Sequence, residues 1–256
     1  MKAIGIIGYH HTGKTTAACA LISALKRRGY TVSSIKDIHD ERFYADKAGS
    51  NSDKHAKAGS SFVLAKGLHD SALIFPENID YSQALKYFNT DFLVIEGMKN
   101  APVPKIVCAE TEAQLDELLD ETAIGISGPI ADRLRSYRDL PVFCLQQQLD
   151  EFVSLCVEKA FPALPDVDPD CCSACGKTCY ELACAIIQGK ATRVDCILDS
   201  QEKLELRVNG KPIRIVPFVQ NLLRDSILSF VKNLKDIDPD GTIDIHISAR
   251  NDEHTS

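Results

Sequence analysis

The stretch Gly8-Tyr9-His10-His11-Thr12-Gly13-Lys14-Thr15 fits G-x-x-x-x-G-K-[ST] without a mismatch. Ahead of it, Ala3-Ile4-Gly5-Ile6-Ile7 is a short apolar run suited to a buried parallel strand, and behind it Lys14 to Arg28 is amphipathic with helical spacing. Strand, Gly-rich loop and helix are the parts of a phosphate-binding loop. Gly8 and Gly13 let the backbone turn its N–H groups toward one point at the positive end of the helix. Lys14 then reaches the terminal phosphates, and Thr15 offers its hydroxyl to Mg²⁺. The first ligand expected is therefore a nucleoside triphosphate, cradled by Gly8, His10, His11, Thr12, Gly13, Lys14, Thr15 and Thr16.

Outward from this loop the chain reads as an α/β protein. Gly29 stops the first helix, and Tyr30-Thr31-Val32-Ser33-Ser34-Ile35 alternates as a second strand, which makes a parallel crossover. Residues 36–61 are polar and rich in Asp, His, Lys and Gly, a poor core element but a candidate functional loop that contains Asp46. Ser61 to Ala65 and Ser71 to Phe75 are short strand candidates, followed by a helix from about Tyr81 to Phe88. Asp91-Phe92-Leu93-Val94-Ile95-Glu96-Gly97 reads as a central strand that delivers the Glu96 carboxylate to the ligand edge of the sheet. Glu96 is accordingly the candidate for holding Mg²⁺ or orienting an attacking water, with Asp91 a cap at the other end. Further strands are expected at Lys105 to Cys108, Thr122 to Ser127 and Pro141 to Leu145, with helices at Thr111 to Leu119, Ile130 to Arg138 and Leu149 to Ala160. Arg133, Arg135 and Arg138 do not share one helix face, so a solvated surface is favoured over a phosphate lid.

Composition bounds the partners. The 256 residues carry a net charge of -7 and no basic tract longer than Lys26-Arg27-Arg28, which speaks against a nucleic-acid or acidic-membrane partner. No apolar run reaches the length of a membrane span and little precedes the first strand, so a cytoplasmic protein is expected. Ten cysteines in a reducing compartment call for burial, catalysis or metal. Cys19, Cys108, Cys144 and Cys156 stand in apolar segments and read as buried thiols.

The remaining six lie between Cys171 and Cys196, after the Pro- and Asp-rich residues 161–170, which read as a linker. The spacing Cys172-x2-Cys175-x3-Cys179-x16-Cys196, with Cys171 and Cys184 to spare, suits four thiolates around a soft metal. A Cys₄ zinc site is the chemical competitor, although it favours two C-x2-C knuckles and one is present. Ala183, Ile186 and Gly189 mark a helix that covers the site and turns Cys184 elsewhere. Beyond it, strands on either side of Asn209-Gly210, a helix from about Val219 to Leu234 and a strand at Thr242 to Ile247 predict a small ββαβ unit. The expected divisions are a nucleotide domain at 1–160, the linker, a Cys-rich motif at 171–198, the ββαβ unit at 199–248 and a mobile tail at 249–256.

Two resemblances sharpen this reading. Gly8 to Thr16, Ile35-Lys36 followed by His39, Asp46 and Gly49 before Ser52, Ala58-Gly59, and Val94-Ile95-Glu96-Gly97-Met98-Lys99 before Pro104-Lys105-Ile106 resemble the molybdopterin-guanine dinucleotide biosynthesis family MobB. That resemblance implies a P-loop NTPase-type, mostly parallel sheet flanked by helices, GTP binding with weak hydrolysis, and a homodimer. It also implies help to a guanylyltransferase that attaches GMP to the molybdenum or tungsten pterin, or to a molybdoenzyme partner. His10 and His11 stand where that family typically has a second small residue. The order Cys-x2-Cys-Gly, Thr-Cys, then Ala, Ile and Gly before a distant Cys is similar to the 4Fe-4S domain of Rnf-type subunits and corrinoid iron-sulfur proteins, with one residue fewer between Cys175 and Cys179. It implies a 4Fe-4S cluster on Cys172, Cys175, Cys179 and Cys196. The alternative function is a nucleotide-gated iron-sulfur carrier or electron-transfer protein. The chain carries no clear N-K-x-D for guanine, and GTP rests on the resemblance.

Overall fold

The computed structural model describes residues 1–167, 172, 175–196, 206–208, 211–213, 217–234, 243 and 245. The chain divides into two compact units, residues 1–200 and 201–256.

The first unit is an α/β fold around a mostly parallel sheet. Its strands are β1 (Lys2–Gly8), β2 (Val32–Lys36), β5 (Phe92–Glu96), β6 (Lys105–Cys108) and β7 (Ala123–Ser127), in the order β2-β5-β1-β6-β7. All these pairings are parallel. Between β2 and β5 lie α2 (Asn51–Lys57), β3 (Val63–Lys66), β4 (Ser71–Ile74) and α3 (Tyr81–Ala84). α1 (Lys14–Arg27) follows β1, and α4 (Glu112–Leu118) lies between β6 and β7. The period of two along β1 decides which helix each residue meets. Ile4 and Ile6 face α1 and α5 (Leu149–Lys159), packing with Leu21, Leu25, Phe152 and Val153. Ile7 faces the other side with Leu115 and Leu118 of α4. α1 presents Ala17, Ala18, Leu21, Ala24 and Leu25, a stripe at helical spacing, to the core.

Several expected elements take another form. Residues 36–61, read as loop, contain the short α2, which is capped by Ser50 and buries none of its residues. The two strand candidates that follow pair with each other as an antiparallel hairpin of their own, β3 with β4. The helix expected at Ile130 to Arg138 is a single 3-10 turn, Pro129–Asp132, followed by a two-residue hairpin of β8 (Ser136–Tyr137) and β9 (Leu140–Pro141). Arg138 and Asp139 both have positive φ at that turn, which a helix excludes. The strand expected at Pro141 to Leu145 reduces to a parallel bridge between Val142 and Ile126. Cys108 and Cys156 are buried thiols as expected, but Cys19 lies on the outer face of α1 and is exposed.

The described part of the stretch expected as a linker is packed instead. β10 (Phe161–Pro162) pairs antiparallel with Lys2 and Ala3, at the start of β1 ahead of the residues that β6 takes. Leu164 is fully buried and Val167 nearly so, because Phe161 and Leu164 share an apolar cluster with Leu182, Ala183 and Cys196. α6 (Cys179–Ile187) is therefore packed within the first unit, beginning with a Thr178–Glu181 capping box and ending before Gly189 at φ 71.

Within the second unit, β11 (Leu206–Val208) pairs antiparallel with β12 (Lys211–Ile213), and α7 (Pro217–Val231) follows. Asn209-Gly210 and the strand expected at Thr242 to Ile247 lie outside the described residues, isolated positions aside, as does the tail.

Candidate functional site

β1, β2 and β5 run parallel, so Gly8, Lys36 and Glu96 arrive together at the C-terminal edge of the sheet. Gly8 leads into the loop, where an added Cβ would lie 2.3 Å from the Cys108 carbonyl oxygen and 2.6 Å from Thr12 Oγ1; only a glycine fits. Thr12 is buried and its hydroxyl donates to the Tyr9 carbonyl at 2.9 Å, closing the loop on itself. Gly13, at φ 88, starts α1 in the left-handed region. Gly128 closes the loop from below: at φ 97, a Cβ there would lie 2.6 Å from the Thr12 carbonyl oxygen and 2.8 Å from that of Ala109. His10 and His11 are exposed, and their rings lie 6.4 Å apart. Thr16 is likewise exposed, on the first turn of α1.

Lys14 donates to the Tyr9 carbonyl across the loop. Thr15 Oγ1 donates to Glu96 Oε1 at 2.7 Å, and Lys36 Nζ lies 2.8 Å from the same oxygen and 3.3 Å from Thr15 Oγ1. Glu96 is held in place by its neighbours: Asp37 N–H donates to its carbonyl at 2.8 Å, and Gly97 N–H donates to the Ile6 carbonyl at 3.0 Å. Burial pushes the Glu96 carboxyl up, but hydrogen bonds from Lys36 and Thr15 and the charges of Lys36 and Lys14 together hold it below its ordinary value. A hydroxyl, an ionised carboxylate and two ammonium groups thus converge beside backbone N–H groups at a helix start, a set suited to Mg²⁺ and phosphate oxygens. Thr15 and Glu96 are the residues that would hold the metal.

The structure brings Lys14, Thr15 and Glu96 together as the sequence suggests, and adds Lys36. Its signal was available, since β2 ends at the same edge as the strand that carries Glu96. Asp46 accepts hydrogen bonds from Ser50 Oγ at 3.1 Å and Lys47 N–H at 2.8 Å, ordering its own loop ahead of α2. The arginines are engaged locally: Arg133 on the Glu110 carbonyl, Arg135 on the Ala131 carbonyl, and Arg138 on the Asp116 carboxylate.

At the other edge of the sheet, Cys175, Cys179 and Cys196 belong to one apolar cluster with Leu182 and Ala183. Burial raises the Cys179 thiol. Cys172 is half-buried, and Cys171 lies outside the described residues. Among the described residues no three His, Cys, Asp or Glu side chains converge as a metal site. Cys184 does face elsewhere. It is buried beside Glu121, Asp120 and Lys105, and its thiol is raised to about 11, chiefly by burial. There Lys105 is fully buried, 3.6 Å from Asp120 and 4.9 Å from the centre of the Tyr180 ring. Among the described residues its ammonium has no partner within hydrogen-bond distance, and burial lowers its pKa against the pull of Asp120. Among the described residues no helix is long and apolar enough to cross a membrane.

Residues 3–127 match the family model described as Molybdopterin guanine dinucleotide synthesis protein B, MobB. A putative molybdopterin-guanine dinucleotide biosynthesis adapter protein of Methanocaldococcus jannaschii is 27% identical over 254 residues, 96% of this chain and 97% of its own length. An adapter protein of the same description from Haemophilus influenzae is 36% identical over 114 residues, 43% of this chain and 64% of its own length. The N-terminal half of the chain is thus similar to the MobB family. The MobB match runs from β1 through β7 and so contains the P-loop, Lys36 and Glu96. The Methanocaldococcus match extends over the Cys-rich and C-terminal parts as well, given its coverage. The crystal structure of Bacillus subtilis MobB shares the fold, with a TM-score of 0.51 and 22% identity over 60% of this chain and 98% of its own.

Proposed function

We propose that this protein is a GTP-binding adapter in molybdopterin guanine dinucleotide biosynthesis. The observation that carries the reading is the convergence of Lys14, Thr15, Lys36 and Glu96 on the P-loop of a MobB-like domain. GTP with Mg²⁺ binds at residues 8–16, with Lys14 on the terminal phosphates, Thr15 and Glu96 on the metal, and His10, His11 and Asp46 contributing from the loop rims. Hydrolysis is weak, because Glu96 is committed to the metal rather than free as a strong base. The working partner is a guanylyltransferase or molybdoenzyme that handles the pterin. A homodimer is consistent with the apolar groups presented around the β3–β4 hairpin, where Phe62, Leu64 and Leu68 are exposed. Cys172, Cys175, Cys179 and Cys196 are proposed as the ligands of a 4Fe-4S cluster. Their spacing and the shared apolar cluster of three of them support that assignment, and the sulfur-rich set suits iron.

The test is reconstitution. Guanylyltransferase, molybdopterin and GTP should form the dinucleotide cofactor faster with the wild-type protein than with Lys14→Ala, and equal rates would exclude the adapter role. Protein purified without oxygen should carry about four irons and four sulfides per chain. One zinc without sulfide would make the motif a structural staple.

A further inference from the structure

The pair that would hold Mg²⁺ already holds a cation of the protein's own. Lys36 Nζ lies 2.8 Å from Glu96 Oε1 and 3.3 Å from Thr15 Oγ1, while Thr15 gives its proton to the same carboxylate oxygen at 2.7 Å. For a threonine hydroxyl to ligate Mg²⁺, its lone pair must face the metal, and here that side faces the ammonium. The geometry points to Lys36 as a built-in competitor of Mg²⁺: its ammonium takes the metal's position between Thr15 and Glu96 and leaves it when Mg²⁺ enters with the triphosphate. The proposal rests on the nucleotide-binding reading of the P-loop and adds a mode of control to it.

Burial separates the fixed partner from the movable one. The Glu96 side chain is 10% exposed and pinned at a strand end, whereas that of Lys36 is 55% exposed on a flexible four-carbon stem. A divalent ion on Glu96 would repel an ammonium a few ångströms away, and the nearest compensating charges are the phosphates that arrive with it. Lys14 makes a parallel arrangement, resting on the Tyr9 carbonyl. Both lysines are thus paired with oxygens of the protein itself. Lys36 differs in being paired with the metal's ligands, so it opposes Mg²⁺ without opposing the nucleotide. Nucleotide capture then needs a higher free Mg²⁺ level than the triphosphate site alone would require.

The experiment is calorimetric titration of GTP into the full-length protein over a series of free Mg²⁺ concentrations, with wild type, Lys36→Met, Lys36→Gln and Lys36→Arg. One charge-assisted hydrogen bond is removed from the competing state, so the Mg²⁺ concentration at half-effect should fall roughly tenfold in the Met and Gln variants. Binding of GTP in EDTA should stay level or weaken in both, since a positive charge near the phosphates is lost. Lys36→Arg keeps the charge and should stay near the wild-type midpoint. A midpoint that is unchanged or higher in both neutral variants overturns the proposal. If wild type takes up no GTP at any Mg²⁺ level, the P-loop reading fails and this proposal with it; GTP binding with an unmoved midpoint removes only the competing role of Lys36.

Discussion

The two edges of the central sheet each hold a lysine against an acid, and they hold them in opposite ways. At the C-terminal edge Lys36 is half in solvent, hydrogen-bonded to Glu96 and Thr15, and flexible. At the other edge Lys105 is sealed beneath Tyr180 of α6, 3.6 Å from Asp120. An exposed pair exchanges partners at little cost, whereas a buried one is costly to break and contributes position. The P-loop edge can thus be rearranged at little cost, while the opposite edge fastens the Cys-rich helix to the sheet.

The largest expected effect lies at the ligand edge. Lys14→Ala should weaken GTP binding on the order of a hundredfold or more, through loss of charge-assisted phosphate contacts, and leave thermal unfolding close to wild type. Calorimetry and a melting curve on one preparation check both halves. A large loss of stability would show that Lys14 is as structural as Lys105.

Next comes the fastening. Asp120→Ala strands the Lys105 ammonium and removes the acceptor for the Thr122 N–H at 2.8 Å. Because the Asp120 side chain is 28% exposed, water offsets part of the penalty, and a loss of about 2–3 kcal/mol is expected by urea unfolding. The double variant Lys105→Met with Asp120→Leu should recover most of it, since apolar replacements of a buried pair are often neutral. Failure of the double variant to recover would mean that the pair contributes more than position.

The smallest effects are in the pH profile, where stability rises with pH at both edges but in different ranges, acid for Glu96 and alkaline for Lys105. Glu96 titrates below its ordinary 4.5 when folded, so its contribution is present above that value and is lost as pH falls through the folded one. Glu96→Gln should flatten the acid limb of stability against pH. Lys105 also titrates below its ordinary 10.5 when folded. The unfolded chain then binds the extra proton, so stability rises with pH between the folded value and 10.5. Lys105→Met should remove that alkaline rise and leave the acid limb in place. Swapped effects would contradict the assignment of each lysine to its edge.

Most of the ligand edge was legible because its signals are local: a loop motif, a strand ending in Glu96-Gly97, and glycines where a Cβ would clash. Lys36 was less so, since its meeting with Thr15 and Glu96 depends on which strands are neighbours, and strand order is set by long-range pairing. The opposite edge was nearly illegible. Pro162, Pro165 and the aspartates around them speak for a free linker, yet Phe161 and Leu164 supply the apolar contacts that hold the segment down. Lys105 at the start of an apolar strand gives no sign that Asp120 and Tyr180 will bury it. The Thr178-x-x-Glu181 capping box was a local signal for where α6 begins, more exact than the helical spacing of Ala183 and Ile186.

If nucleotide acts at one edge while the Cys-rich edge is separately fastened, hydrogen exchange with and without GTP and Mg²⁺ will separate the two. Amides of residues 8–16 and of the 96–98 corner should gain protection on GTP addition, with residues 179–196 unchanged. Protection that appears at 179–196, with the P-loop amides unaffected, would contradict the account.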